Sequence, residues 1–336
     1  DEWRRIARGE VKIVIGARSA IFAPLKNLGI VIIDEEHTTS YKQDNNPKYN
    51  AIDIAKWRTK YHNCPLVLGS ATPTLESYAR AKKNVYHLLE MKERVGKKKL
   101  PKVEIVDMNQ EIKTCKGHFS NLLITKMEEC LDNHNQIILL LNRRGYSSFI
   151  SCKNCGYVEK CPNCDITLTY HKSSNMLRCH YCGYADNKKD ICPECHEKSI
   201  TSLGIGTEKI EEELNKYFPQ ARVIRMDFDT TSKKGSHEKI IKSFEQHDYD
   251  ILLGTQMIAK GLDFSNVTLV GVINADTSLN IPDFRSSEYT YQLLSQVSGR
   301  SGRGEKEGSV VIQTFNPEHY SIYNASNHDY LGFYNK

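Results

Sequence analysis

Four C-x-x-C pairs stand at Cys152/Cys155, Cys161/Cys164, Cys179/Cys182 and Cys192/Cys195. Each offers two thiolates from one tight turn, and eight such ligands match two tetrahedral Zn²⁺ ions. Loop length bears on which pairs share an ion. Gly156 to Lys160 make a short arm for folding the first pair over the second, whereas the gap from Cys164 to Cys179 approaches a zinc-ribbon spacer. The expected arrangement is nested, with Cys161, Cys164, Cys179 and Cys182 on one ion and Cys152, Cys155, Cys192 and Cys195 on the other. A cross-braced pairing is the alternative. His171, His180 and His196 lie nearby as substitute ligands, but eight cysteines leave them surplus. A closed four-sulfur shell has no open position, so both sites are expected to be structural. Paired knuckles with intervening Gly and Pro are not a disulfide framework, and Cys64, Cys115 and Cys130 stand apart as plain thiols.

A second set of residues has the chemistry of phosphoryl transfer. The apolar run Gly29 to Ile33 ends in Asp34-Glu35-Glu36-His37, and α/β folds place magnesium ligands at such strand ends. There Asp34 would hold Mg²⁺ through water, and Glu35 would orient or deprotonate the water attacking a γ-phosphate. Alone, the box would equally be a solvated acidic turn. Three further strings change that balance: Gly69-Ser70-Ala71-Thr72-Pro73, Gly254-Thr255-Gln256 through Lys260-Gly261, and Gln296 to Arg303 reading Q-V-S-G-R-S-G-R. In the last, Arg300 and Arg303 are expected on one side of a helix, where two guanidiniums can reach a phosphate chain.

The elements that must position these residues alternate between short apolar runs and amphipathic stretches, the pattern of an α/β fold with helices on a mostly parallel sheet. Strands are expected at Val11 to Ile15, Gly29 to Ile33, Pro65 to Leu68, Val103 to Val106, Gln136 to Leu141, Ala221 to Met226, Asp250 to Leu253, Leu269 to Ile273 and Gly308 to Gln313. Helices fit Thr74 to Lys83, Ser120 to Asn133, Glu208 to Phe218, Ser236 to Gln246 and Ser286 to Ser298, several of them opening on a Ser or Thr suited to an N-cap. A length of 336 residues allows two domains. The basic segment 93–99 with Leu100-Pro101 reads as a hinge, and the cysteine-dense stretch 151–196 as an inserted subdomain. The expected division is therefore 1–92, a linker at 93–102, 103–150, the insertion, 197–316, and 317–336 as the start of a further domain.

The chain is 39% hydrophobic and 26% charged. It has no apolar run near the roughly 18 residues of a membrane span and no secretory signal, so a cytoplasmic protein without membrane contact is expected. The first residue is Asp1, and truncation at the N-terminus is expected. The formal charge of +5 falls to about +1 once eight thiolates hold two Zn²⁺, so bulk charge argues little about nucleic acid.

The sequence resembles the PriA primosomal helicases, a branch of helicase superfamily 2. The resemblance runs through Gly16-Ala17-Arg18-Ser19-Ala20, the D-E-E-H box, G-S-A-T-P and Asn142-Arg143-Arg144-Gly145-Tyr146. It continues through the double zinc insertion, Gly206-Thr207-Glu208, the G-T-Q-M-I-A-K-G box, Asp283-Phe284-Arg285 and the final arginine box. It implies two RecA-like lobes, the first incomplete, with a double zinc-ribbon-like insertion, and an ATP-driven 3′-to-5′ DNA helicase of the bacterial cytoplasm that restarts stalled forks. ATP and Mg²⁺ would be its cofactors beside zinc. Forked or single-stranded DNA, primosome proteins and single-strand-binding proteins would be its partners. By the same resemblance Asp34, Glu35, Arg300 and Arg303 are catalytic, and Glu36, His37, Gly261, Asp263 and Gln296 lie at the nucleotide. Ser70 and Thr72 would couple nucleotide state to DNA grip. Arg18, Ser19, Tyr41, Lys42, Tyr49, Arg143 and Arg144 would meet DNA, and the stretch from Ser40 to Tyr49 matches the family's aromatic-rich loop.

One departure bears on activity. No G-x-x-x-x-G-K-[ST] occurs in the sequence, and that string holds the phosphates in a complete motor. The chain alone is therefore expected to be inactive. A non-enzymatic zinc-ribbon module binding DNA or a partner, and a superfamily 2 translocase on duplex DNA, are the rival readings.

Overall fold

The computed structural model describes all residues except 92–99, 112, 116, 142–148, 203–205, 234, 260–263 and 303–305. The chain divides into two compact units, Asp1–Glu90 and Met91–Lys336.

In the first unit, strands Val31–Ile33 and Leu66–Leu68 pair in parallel, Ile33 opposite Leu68. A strand pair of this length is weak by itself. Helix Ala51–His62 links the two strands and buries Ala51, Ala55 and Thr59, and the Asn50 side chain caps its start by accepting from Ile52 N. The strand expected at Val11 to Ile15 does not form: Ile13 and Ile15 are 77% and 94% exposed and no described strand pairs with them. β-branched residues favour a strand only where a pleated, half-buried surface receives them, and this segment has none among the described residues.

The second unit carries a six-stranded sheet, every pair parallel. Across it run Val223–Met226, Ile251–Gly254, Gln136–Leu140, Val267–Val272, Ser309–Thr314 and Lys102–Asp107. The central strands are buried along their length, as a parallel sheet covered on both faces requires. Helix Asn121–Asp132 starts where the Ser120 hydroxyl accepts from Leu123 N, and it lays Leu123, Ile124 and Met127 into the core with Ile137, Leu139 and Leu253. At the strand ends a buried Asp276 carboxylate accepts from the Thr314 hydroxyl at 2.9 Å, Phe315 N at 2.8 Å and the Asn316 amide at 2.7 Å. Burial pushes its pKa up.

The strand expected from Val103 begins at Lys102, inside the span assigned to a linker. Residues 317–336, expected to open a further domain, pack into this unit as helices Tyr320–Ser326 and Tyr330–Asn335. The Phe333 ring stacks on Tyr291 of helix Ser286–Ser298 at 4.3 Å, and an aromatic contact of that size is worth more to the lobe than exposure would be.

Candidate functional site

The four cysteine knuckles share one backbone form. In each, the first Cys N–H donates to the carbonyl five residues on, and its carbonyl accepts from the N–H four residues on, at 2.8 to 3.0 Å. The residue after the second Cys is left-handed in every case: Gly156 at φ 71°, Asp165 at 53°, Gly183 at 79° and His196 at 60°. His196 therefore shapes its turn. The strand pair Ile150–Cys152 and Ile200–Ser202 is antiparallel with Cys152 opposite Ile200. This neck brings the first knuckle to the last, and the hairpin of Thr169–His171 with Met176–Arg178 serves the inner two.

The sulfurs gather as Cys152, Cys155, Cys192 and Cys195, and as Cys161, Cys164, Cys179 and Cys182. Sγ–Sγ separations of 3.5 Å for Cys152–Cys195, 3.6 Å for Cys155–Cys192 and 3.5 Å for Cys161–Cys182 lie close to the about 3.8 Å edge of a tetrahedron with zinc–sulfur bonds of about 2.3 Å. Both clusters thus fit zinc by donor type, number and spacing. Hydrogen bonding prepares an anionic sulfur in each. The Tyr184 backbone N–H brings Cys182 down to about 6, and the Asn154 side chain with the Glu197 N–H brings Cys195 down to about 6. Both four-cysteine shells are closed, which is the structural form of a zinc site.

The acidic box sits at the end of Val31–Ile33. Asp34 Oδ1 accepts from Glu35 N at 2.9 Å, and Glu35 takes φ 48°. Glu36, placed by sequence at the nucleotide, is only 3% exposed. Its carboxylate accepts from Thr74 N at 2.7 Å, from the Thr74 hydroxyl at 3.2 Å and from Ser77 Oγ at 3.2 Å. Thr74 is the N-cap of helix Leu75–Lys82, so Glu36 holds that helix start and favours its dipole. Its carboxylate thereby ties the acidic box to the start of that helix. His37 Nδ1 lies 2.7 Å from Ser70 Oγ, which also accepts from Thr72 N at 3.0 Å. The D-E-E-H and G-S-A-T-P strings, distant in sequence, are thereby joined through one hydroxyl.

Arg18 and the loop after it form a second group in this unit. The guanidinium donates to Lys42 O at 2.7 Å, Ser40 O at 3.2 Å and Gln43 Oε1 at 2.9 Å, and lies over the Tyr49 ring at 5.5 Å. Arg18 thus pins the 40–49 loop from within. Tyr41 donates to Asp34 O at 2.6 Å. Burial, then the charges of Asp34 and Glu35, push its phenol pKa up. Lys42 and Ser19 are exposed. Arg143 and Arg144 lie outside the described residues.

In the second unit the arginine box departs from expectation. Helix Ser286–Ser298 ends before Arg300, with Gly299 as its C-cap, so Arg300 lies beyond the helix rather than on one face of it. The Ser301 hydroxyl is 2.8 Å from Thr268 O and 3.2 Å from Ser309 O, and Gly302, at φ 69°, donates to Val267 O at 3.2 Å. Those contacts pull the chain off the helix axis and down onto the sheet. Arg300 is 9% exposed and Gln296 half-buried. Arg303, Gly261 and Asp263 lie outside the described residues.

The family model for the PriA DNA helicase Cys-rich region matches residues 161–186, and that for the helicase conserved C-terminal domain matches 190–305. The replication restart protein PriA of Bacillus subtilis (strain 168) is 58% identical over 335 residues, covering 99% of this chain and 42% of the relative. The chain belongs to the PriA family. The Synechocystis PriA is 47% identical over 343 residues, again 99% of this chain and 41% of that protein. The chain thus spans less than half the length of these PriA relatives. A solved structure of RecG bound to a three-way DNA junction aligns at 16% identity and TM-score 0.46, over 97% of this chain and 33% of that one. Within the PriA family the six-stranded unit is the RecA-like C-terminal helicase lobe, and the cysteine clusters form its zinc-ribbon-like insertion.

Proposed function

We propose that this chain is part of an ATP-dependent 3′-to-5′ DNA helicase that restarts stalled replication forks in the bacterial cytoplasm, with forked or single-stranded DNA, primosome proteins and single-strand-binding proteins as partners. One observation carries the reading: the 58% identity to a replication restart protein covers 99% of the chain, and with it the stretches that hold the acidic box, the zinc insertion and the arginine box.

Asp34 suits Mg²⁺, being an exposed carboxylate at the end of a parallel strand with its Oδ1 oriented by the Glu35 N–H. When bound with ATP, the ion would neutralise charge building on the transferred phosphate. Glu35 positions and deprotonates water, His37 fixes the box against Ser70, and Arg300 and Arg303 offset phosphate charge. Arg18 keeps Tyr41, Lys42 and Tyr49 in one loop for DNA. The 336 residues alone are proposed to be inactive, because they contain no G-x-x-x-x-G-K-[ST] string.

The deciding experiment uses the full-length protein on forked DNA with ATP. Strand displacement that Glu35→Gln abolishes supports the reading. ATP-driven movement without displacement would make it a duplex translocase, and DNA binding without ATP hydrolysis a zinc-ribbon module.

A further inference from the structure

We propose that the outer face of helix Ala51–His62 is an additional binding surface for single-stranded nucleic acid, built on Trp57 and Tyr61 and flanked by Lys56 and Lys60. The proposal takes its ligand class from the DNA role above and adds a site that none of the motif residues supplies.

Trp57 and Tyr61 are 66% and 73% exposed, on the side of the helix opposite buried Ala51, Ala55 and Thr59. Four residues apart on a helix, they share one stripe, and their rings stack at 5.6 Å with an interplanar angle of 12°. His62 meets Tyr61 edge-on at 5.1 Å. The two rings shield each other on one face only, leaving flat π surface open to solvent. Exposed aromatics held in a fixed stack are costly to leave wet and are the form in which proteins meet unpaired bases without sequence preference.

The neighbouring charges select the ligand. Lys56 and Lys60 each precede one of the rings, so their ammonium groups recur at the same four-residue interval. Lys60 is exposed and forms no ion pair among the described residues. Lys56 meets Asp53 at 3.2 Å, an exposed pair that a phosphate can displace. Arg58 turns inward to Ile21 O and to Ala23 O. An apolar protein partner would want aliphatic neighbours around the rings, yet the exposed positions beside them are Asp53 and Lys60. Flat rings interleaved with lysines complement a strand of stacked bases and phosphates.

The sequence has two tryptophans, so Trp3→Phe leaves Trp57 as the sole indole reporter in the zinc-loaded 336-residue chain. This protein is titrated with oligothymidylate of about 15 nucleotides, reading Trp57 emission and, in parallel, the anisotropy of a labelled oligonucleotide. Expected are quenching that weakens with salt, and affinity reduced roughly five- to tenfold by Tyr61→Ala and by Lys60→Glu, with Trp57→Phe milder than Trp57→Ala. Unchanged Trp57 emission and unchanged affinity in Tyr61→Ala, while anisotropy still reports binding, overturns this surface and leaves the helicase reading intact. Absence of any binding overturns it too, and fork unwinding by the full-length protein then decides the helicase reading separately. Trp57 emission that depends on protein concentration without DNA overturns it in favour of a protein occupant.

Discussion

Gly156 of the first zinc knuckle lies against Phe315, the residue that follows the last central strand: a β-carbon at Gly156 would stand 2.5 Å from both Cβ and Cγ of that ring. Gly156 also has φ 71°, so a side chain there is opposed by backbone and neighbour alike. The contact seats the zinc insertion on the helicase lobe, and Tyr181 of the third knuckle adds a second one by meeting Phe284 edge-on at 6.2 Å.

Gly156→Ala should therefore cost about 2–4 kcal/mol, from left-handed strain and overpacking together. Zinc content should remain at two ions. The thermal melt of the variant checks the first statement and metal analysis the second. Adding Phe315→Ala should recover part of the loss, since residues in contact couple. A double variant no better than the sum of its parts would show that the two positions act separately.

Each cluster should bind its metal independently. Cys192→Ser is expected to leave one zinc per chain at the inner cluster, and Cys179→Ser one at the outer. Ligation of this kind contributes on the order of 10 kcal/mol in small peptides, so the affected ribbon should become protease-sensitive while the six-stranded sheet keeps its helical and sheet signal. Wild-type protein carrying fewer than two zincs would defeat the ligand assignment.

Neighbouring acids in the D-E-E-H box should separate by readout. In the full-length protein Glu35→Gln is expected to lower ATP hydrolysis by about 10²-fold or more with an unchanged melt. Glu36 has both oxygens committed to Thr74 and Ser77. Its Gln variant should cost about 1–3 kcal/mol of stability and reduce hydrolysis only through misplacement of the box. Equal melts for the two variants would remove the distinction drawn from their hydrogen bonds.

How much of this was legible in the sequence depended on what each signal measures. The cysteine spacing carried the nested pairing because loop length limits which knuckles can meet, although the Ile150–Cys152 neck that enforces it showed no signal of its own. Buried parallel strands such as Gln136–Leu140 read clearly as apolar runs. Helix Ala51–His62 was missed because its buried stripe is Ala, Ala and Thr while its aromatics face outward, which cancels the periodicity that marks a helix. Arg300 was placed on a helix because spacing alone does not show where Gly299 ends it or that Ser301 bonds to the sheet. The Glu36 contacts were equally hidden, since Thr74 and Ser77 lie about forty residues away along the chain and only the fold makes them neighbours.

The ion pair between Arg222 and Asp250 gives a pH test of the second unit. The guanidinium donates to Asp250 at 2.7 and 3.1 Å, and the Arg222 backbone N–H adds a bond at 2.8 Å. Burial would raise the carboxyl pKa, but those bonds outweigh it and hold it below the ordinary carboxylate range. A group whose folded pKa is depressed stabilises above its unfolded value, about 3.9 for Asp, and loses that contribution as pH falls through the folded value. Asp250→Asn should therefore melt a few degrees below wild type at neutral pH, and the gap should close as the pH falls from the unfolded value of about 3.9 through the depressed folded one. Because Arg222 is largely exposed, added salt should narrow the gap as well. A difference in melting temperature that stays constant from neutral to acid would show that the pair stabilises by packing and not by charge.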